Sequence, residues 1–227
     1  MRRRINHIAA AVVNIGNCQY EIIGGDLDDN DRSIYEYYMD ENGVLTRGKS
    51  IGLTLTMTSF YSSDYNDFEG GWMKGSIIDI TDLLGVDFIN ELISKNGLPK
   101  KSLVHYIDHA RNTEKYDFKD GRDPYRGMPI RKEESQIVYA SARDIGNYMA
   151  GYYASANGLS WPLSRLAFDV YNKGAEGQSS VNAQYVGWNE GNLLNGWMKG
   201  VNAAYSTLML RFDITRFLMR ELYKRAK

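Results

Sequence analysis

The stretch that decides the fold runs Ser135-Gln-Ile-Val-Tyr-Ala-Ser-Ala-Arg-Asp-Ile-Gly-Asn-Tyr-Met-Ala-Gly-Tyr-Tyr-Ala-Ser-Ala156. It is largely apolar, and it is followed by Asn157-Gly158, a pair that commonly ends a helix because it accepts a left-handed backbone. The sequence therefore predicts one long helix over residues 135–156.

Polar residues and glycines interrupt this predicted helix on one face. Asp144, Asn147 and Gly151 stand at positions i, i+3 and i+7, which share a helix face. Gly146 and Gly151 each cost about 1 kcal/mol relative to alanine inside a helix, so their presence indicates close approach of a backbone or a ligand. The two polar side chains need hydrogen-bond partners, because unpaired buried polar groups cost free energy. The face is either a structural network or a functional site.

Strands are predicted before this stretch. Residues 51–59 alternate apolar side chains with threonine, which is typical of a half-buried strand, and 76–80 form a second predicted strand. We predict an α+β fold in which a small strand-containing part, residues 1–82, packs on a mainly helical part, residues 83–227, as two domains or as one.

Helical spacing prevails after residue 82. Apolar stripes bounded by glycine and proline predict helices over 86–93, 103–110 and 162–172, and two or three further helices follow. The charged segment 113–134 contains two glycines and two prolines, and it is predicted to be a loop.

Composition excludes several functional classes. The 227 residues include 27 Lys and Arg and 28 Asp and Glu, so the net charge is −1. A dedicated nucleic-acid-binding protein is usually basic over a whole face. The single cysteine, Cys18, excludes an intramolecular disulfide framework and a multi-cysteine metal site. The 17 tyrosines and 4 tryptophans combine an apolar body with a polar group, which suits binding clefts as well as cores.

No conventional signal peptide or membrane span is predicted. The apolar run at 8–13 is six residues long, whereas a signal-peptide core has about 7–15, and no stretch approaches the roughly 20 apolar residues that span a bilayer. We therefore expect a soluble protein that reaches the outside of its cell, or a target cell, by another route. No phosphate-binding loop or dinucleotide motif occurs, and no cofactor is expected.

A pair of histidines has the spacing of a metal site. His105 and His109 stand at i and i+4 with Asp108 between them, an order that resembles an inverted zinc-protease motif. With only His7 left, a third ligand would have to be a carboxylate or water, so we expect ordinary hydrogen bonds here rather than a bound zinc ion.

A charged loop precedes the long predicted helix. The eleven residues from Tyr116 to Arg126 hold six charged side chains: Asp117, Lys119, Asp120, Arg122, Asp123 and Arg126. Such a loop is solvated unless its charges converge on a ligand or on another polar surface.

Two segments together resemble the core of the polymorphic toxin type 44 family. The first is Tyr116-Asp-Phe-Lys119, and the second is Asp144-Ile-Gly-Asn147 followed by Gly151. In that family an aromatic-Asp-aromatic-Lys element precedes an Asp-Phe-Gly-Asn-x-x-x-Gly helix, and this chain has isoleucine in place of the second motif's phenylalanine. The resemblance covers roughly residues 115–190.

The resemblance implies an interbacterial toxin or secreted effector that an immunity protein neutralises in the producing cell. Such domains stand at the C-terminal ends of Rhs-type and other secreted bacterial toxins. The positions carried over as candidate catalytic residues are Asp117, Lys119, Asp144 and Asn147.

The substrate has to be inferred from the residues. A glycan-cleaving enzyme needs two carboxylates, one of them kept protonated by an apolar setting, and aromatic side chains that stack on sugar rings. We expect Asp144 to be the acid and Asp117, Asp120 or Asp123 to be the base or nucleophile. The side chains predicted to line the cleft are Trp72, Trp188, Trp197, Tyr148 and Arg126.

Two alternatives to a cell-wall glycan hydrolase remain open. A nuclease needs excess positive charge to hold phosphates, and only Arg2–Arg4 and the segment 216–227 are locally basic, so nucleic acid is the less favoured substrate. A non-enzymatic binding or structural protein of a phage or secretion system would use the polar helix only as architecture. The repeated Gly-Trp-Met-Lys-Gly, at 71–75 and 196–200, indicates two buried tryptophans or two tryptophans that face a ligand.

Overall fold

A closed seven-stranded β-barrel carries the helices in a computed structural model of the chain. The structure describes residues 10–26, 31–62, 71–110 and 113–193. The barrel strands are β1 (Ala10–Gly16), β2 (Gln19–Gly24), β3 (Ser33–Met39), β4 (Leu45–Thr54), β7 (Ile77–Asp79), β8 (Gly127–Glu133) and β9 (Gln136–Ser141), and β5 (Tyr61–Ser62) pairs with β6 (Gly71–Trp72) beside them. Around the barrel the order is β1-β2-β7-β8-β9-β4-β3.

The first hairpin closes through a two-residue turn. Gly16 pairs with Gln19, and the residues between them, Asn17 and Cys18, both have positive φ angles, 52° and 60°. Positive φ at both central residues is typical of a type I′ turn, whose twist matches that of the paired strands. The free cysteine is therefore exposed at the tip of the hairpin.

One core fills the barrel, and another lies between the barrel and the helices. Side chains alternate between them along β9, because Tyr139 belongs to the first core and Val138 and Ala140 to the second. The barrel core contains Ala10, Val12, Tyr20, Ile22, Ile34, Phe60, Ile78 and Tyr139. Since successive side chains of a strand point to opposite faces, β9 joins the two cores.

The long helix predicted over 135–156 is wrong in its first third. Residues 136–141 form β9, and the helix α3 begins only at Ala142 and ends at Ala156. The Ser141 hydroxyl accepts a hydrogen bond from the backbone N–H of Asp144 and so caps the helix. Ser141-Ala-Arg-Asp144 has the Ser-x-x-acidic spacing of a helix N-terminus, a signal in the sequence that marks the true boundary.

The predicted loop over 113–134 is also partly wrong. Its last third is strand β8, which pairs with β9 and, through Gly127, with β7. Proline is disfavoured inside a strand unless a bulge accommodates it, and the β8–β9 register shifts at Pro129. Two barrel strands therefore come from the part predicted to be helical, and the barrel crosses the predicted boundary at residue 82.

The remaining helices lie near their predicted positions. They are α1 (Leu84–Leu92), α2 (Leu103–His109) and α4 (Trp161–Asn172), and α5 covers 178–193. The predicted strand at 76–80 is confirmed as β7, and that at 51–59 is confirmed only as far as Thr54, where β4 ends. The chain thus has both strands and helices, as predicted. No helix in the described residues is long and apolar enough to cross a membrane.

Candidate functional site

A cleft of about 100 Å³ opens between α2, α3, α4 and the loop that leads to β8. We call it the polar cleft. Aromatic rings form much of its wall, and two carboxylates, two cationic side chains and three amides also line it. The aromatic members are Tyr106, Tyr116, Phe118, Phe168 and Tyr171, and the polar members are Asp117, Lys119, Arg143, Asn147, Asn172, Glu176 and Gln184.

The polar cleft brings the two motif segments together. Asp117 and Lys119 come from the first motif, and Gly146 and Asn147 come from the second. The contact is close, because a Cβ atom placed on Gly146 would lie 4.0 Å from the Cβ of Phe118. The segments that carry the toxin resemblance are thus neighbours in space.

A hydrogen-bond network fixes the amide of Asn147. Gln184 Nε2 donates to Asn147 Oδ1 at 3.1 Å and to Glu176 Oε2 at 2.7 Å, and Gln184 Oε1 accepts from the Arg165 guanidinium. Since a guanidinium has only donors, the Gln184 oxygen must face Arg165, and its NH2 group must face Glu176 and Asn147. The Asn147 oxygen therefore faces Gln184. The Asn147 Nδ2 group has no hydrogen-bond partner among the described residues.

Glu176 and Gln184 are functional candidates that sequence reasoning missed. Glu176 lies in the loop before α5, and its Oε2 also accepts a hydrogen bond from Arg165 Nη1 at 3.0 Å. Gln184 lies on α5 and is almost fully buried. No spacing rule relates either residue to the two motifs, so only the fold places them in the cleft.

The loop residues differ in their placement. The Asp117 carboxylate is half-buried and accepts a hydrogen bond from the backbone N–H of Thr113 at 3.3 Å. Lys119 is exposed at the rim and has no ion pair within the described residues. Asp120 and Asp123 are exposed and do not line the polar cleft, and Asp123 instead accepts from the N–H of Tyr125. Of the charged residues of this loop, the structure therefore brings only Asp117 and Lys119 to the site.

Asp144 lies behind the polar cleft rather than in its lining. Its carboxylate is fully buried and accepts from Arg143 Nε at 2.7 Å. Arg143 in turn donates to the carbonyl oxygens of Tyr61 and Thr58, at 3.0 and 3.1 Å. Burial raises the pKa of the Asp144 carboxyl, and the Arg143 guanidinium offsets only part of that rise. The expected catalytic acid is thus an internal partner of Arg143 that ties α3 to the segment after β4.

Arg126, a predicted substrate-binding residue, forms ion pairs at one end of the barrel. Its guanidinium donates to Asp79 at 2.9 Å and to Asp82 at 3.2 Å. Burial acts to raise the pKa of the Asp79 carboxyl, but hydrogen bonds from Gln19 and Thr81 and the charge of Arg126 together hold that pKa below its ordinary value. Arg126 therefore links β8 to β7 and does not line the polar cleft.

Asp79→Asn is expected to lower the free energy of unfolding at neutral pH by about 2 kcal/mol, because it weakens hydrogen bonds to a charged group. The stabilisation exists above the unfolded carboxyl's pKa, about 3.9, and is lost as the pH falls through the depressed folded value. Urea unfolding of both proteins from pH 7 to pH 2 should therefore give curves that converge below about pH 4. A constant difference between the curves would contradict this account.

Three other residues predicted to bind substrate contact side chains or backbone outside the polar cleft. The Tyr148 hydroxyl donates to Glu190 at 2.7 Å, away from the polar cleft. Trp72 contacts Tyr61 edge-on and lies against Gly25, and Trp188 donates to the carbonyl of Leu159. None of these three lines the cleft. Trp197, with the second copy of the repeat, lies outside the described residues.

The two histidine rings of α2 lie against each other in a tilted pair. Their ring centroids are 4.1 Å apart, and His109 Nδ1 donates to the carbonyl of His105 at 2.9 Å. His105 Nε2 lies 3.3 Å from the Tyr116 hydroxyl. Within the described residues no group of three or more His, Cys, Asp or Glu side chains is arranged to hold a metal ion.

Glycines allow α3 and α5 to cross in backbone contact. A Cβ atom on Gly151 would lie 1.9 Å from the carbonyl oxygen of Gln184, and one on Gly187 would lie 1.9 Å from the carbonyl oxygen of Tyr148. This crossing sets Gln184 beside Asn147. The glycine at position 151 therefore accommodates a backbone, whereas Gly146 borders the open space of the polar cleft.

The two glycines of α3 are expected to respond oppositely to alanine. Gly146→Ala should raise the free energy of unfolding by about 1 kcal/mol, because alanine is the better helix former and the nearest atom is 4.0 Å away. Gly151→Ala should lower it by about 2–3 kcal/mol, because the helices must separate. Urea unfolding of the matched pair measures both, and stabilisation by both substitutions would show that the crossing is loose.

Comparisons of the chain with models of protein families, with curated proteins and with solved structures found no match. The toxin resemblance therefore depends on the two motifs, 116–119 and 144–151, and on their proximity in the fold.

Proposed function

We propose that this chain is an antibacterial toxin that hydrolyses the glycan of the bacterial cell wall at the polar cleft. The observation that supports this most strongly is the convergence of both motif segments with a second carboxylate, Glu176, in one cleft walled by aromatic rings. Two carboxylates flanking the scissile bond are the usual machinery of glycoside hydrolysis. In a producing cell an immunity protein that covers this cleft would prevent self-damage.

We assign the two roles by the surroundings of each carboxylate. Glu176 accepts hydrogen bonds from Arg165 and Gln184, which fix it as an acceptor and suit it to act as base or nucleophile. Asp117 has no cationic partner among the described residues and stands between Tyr116 and Phe118 in the wall, so it is the proposed proton donor to the leaving oxygen. Asn147 and Lys119 are left to bind polar groups of the substrate.

The charge of the cleft favours a glycan over a nucleic acid. Arg143 is committed to Asp144 and to backbone carbonyls, so Lys119 is the one cation of the lining that has no ion pair in the described part of the chain. Asp117 is the carboxylate that stands against it, since Glu176 is already paired with Arg165. A site that holds phosphates needs an excess of unpaired cations over unpaired carboxylates, and this lining has no such excess.

Purified cell-wall sacculi and controlled expression test the proposal together. The purified protein should release new reducing ends from sacculi, and expression should lyse bacteria only when the chain is exported to the periplasm. Toxicity of the cytosolic form with intact sacculi would instead indicate a nucleic acid or another internal target. Absence of toxicity in both compartments, with no product from sacculi, would favour the binding or structural alternative.

A further inference from the structure

An apolar compartment of about 40 Å³ adjoins the polar cleft. The two share four wall residues: Tyr106, Ala150, Phe168 and Tyr171. The rest of its lining is Leu103, Ile107, Ala154, Leu159 and Ala167. The compartment lies between the same three helices as the cleft, so the two form one groove that changes from polar to apolar.

Helix α3 carries this change of polarity along one face. Asn147 lines the polar cleft, Ala150 lines both compartments, and Ala154 lines only the apolar one. Residues three and four apart on a helix are neighbours, with Cβ atoms about 5–6 Å apart. The unpartnered Asn147 Nδ2 donor therefore stands one helical turn from the entrance to the apolar compartment. A ligand group that fits must present a hydrogen-bond acceptor next to a small apolar end.

We infer that this compartment is a subsite for the acetamido group of an N-acetylated sugar. The acetamido carbonyl accepts from Asn147 Nδ2, and its methyl group enters the space beside Ala150 and Phe168. The inference rests on the proposed glycan substrate, whose sugars carry such groups, and it deepens that proposal by naming the feature that selects among glycans. Water is a poor occupant, because the lining presents almost no polar surface to the compartment and a buried water needs two to four polar partners.

Two neutral trisaccharides that differ only at C2 isolate the acetamido group. Chitotriose carries acetamido groups there and cellotriose carries hydroxyls. NMR titration of the whole chain in the cold, before hydrolysis proceeds, should give at least about tenfold tighter binding of chitotriose, because one methyl group is buried and one hydrogen bond is gained. The shifted resonances should include Ala150 and Phe168. Equal affinities, including no binding of either sugar, would overturn the subsite.

Two variants test the compartment itself. Ala154→Leu should fill it and remove the preference for chitotriose without reducing the affinity for cellotriose, because Ala154 lines only the apolar compartment. Phe168→Ala should enlarge it, so that an N-butyryl trisaccharide binds as tightly as chitotriose or more so, and this second variant keeps the test informative if the first does not fold. Leu166→Ala, on the exposed side of α4, is the control and should keep the wild-type preference. A preference unchanged in both cavity variants would contradict the assignment.

Hydrolysis of sacculi, measured on the same preparations, separates the two proposals. Preferential binding of chitotriose without any hydrolysis would keep the subsite and remove the proposed hydrolase activity. Hydrolysis of sacculi without a preference between the trisaccharides would keep the activity and remove the subsite.

Discussion

Asp117→Asn and Glu176→Gln are each expected to lower the rate of sacculus hydrolysis by about 10²- to 10⁴-fold, because each removes a proton donor or acceptor at the reacting bond. Both substitutions keep the size of the side chain. Glutamine at position 176 still offers an oxygen to Arg165, so the fold should be retained. The measurement is the initial rate of release of reducing ends, compared at equal concentrations of folded protein.

The loop offers matched controls for this prediction. Asp120 and Asp123 are exposed and lie in the same loop as Asp117, outside the lining of the polar cleft. Asp120→Asn and Asp123→Asn should therefore retain near wild-type rates. If Asp117→Asn were folded and fully active, the glycosidase assignment would fail, and the nuclease and binding alternatives would have to be tested at another surface.

Chemical rescue can tell the two carboxylates apart. If Glu176 is the nucleophile, Glu176→Ala should regain part of its activity with azide, which is small enough to replace the lost carboxylate, and should form a glycosyl azide. Asp117→Ala should regain activity instead on substrates whose leaving group needs no proton. The opposite pattern would exchange the two roles and leave the site itself intact.

Most helices and strands were predictable because apolar periodicity and the residues that begin or end a helix are features of neighbouring residues in the sequence. The apolar stripe of α1 and the proline that begins α4 are short-range features, and both helices lie near their predicted positions. The strand β9 was missed because Ile137, Val138 and Tyr139 run directly into the helix without a turn. Only the Ser141 cap, which requires an extended residue before the helix, separates the two elements.

The candidate site was predictable only in part, for a physical reason. The two motifs give Asp117, Lys119 and Asn147, because each motif is contiguous in the sequence. Gln184 and Glu176 reach the same cleft only through the crossing of α3 and α5 at Gly151. Tertiary contacts of this kind leave no periodic signal in a single sequence.

The placement of Asp144 could not be inferred from helix geometry alone. Asp144 and Asn147 are three residues apart, so helix geometry places them on the same side of α3. Burial, however, depends on what packs against the first turn, and there Arg143 extends to the carbonyls of Thr58 and Tyr61. The carboxylate predicted to donate a proton is needed to balance a guanidinium that is only 13% exposed.

Asp144→Ala is consequently expected to lower the free energy of unfolding by about 3–5 kcal/mol, the usual cost of leaving one member of a buried ion pair without its partner. Asp144→Asn should cost less, since its amide oxygen still accepts from Arg143 Nε. Asp120→Ala, at an exposed position, should change the free energy by no more than about 0.5 kcal/mol. Urea unfolding at neutral pH measures all three.

Activity per folded molecule then separates a structural Asp144 from a catalytic one. A residue that acts only by holding Arg143 should leave the hydrolysis rate of the folded fraction of Asp144→Asn within a few-fold of wild type, while Asp117→Asn loses at least about 10²-fold. The double variant Arg143→Met/Asp144→Leu removes both charges and should recover part of the stability lost in Asp144→Ala, because apolar replacement of a whole buried pair is often neutral. The recovery should be incomplete, because the carbonyls of Thr58 and Tyr61 lose their donor. An Asp144→Asn protein as stable as wild type but inactive on sacculi would return this carboxyl to the catalytic role.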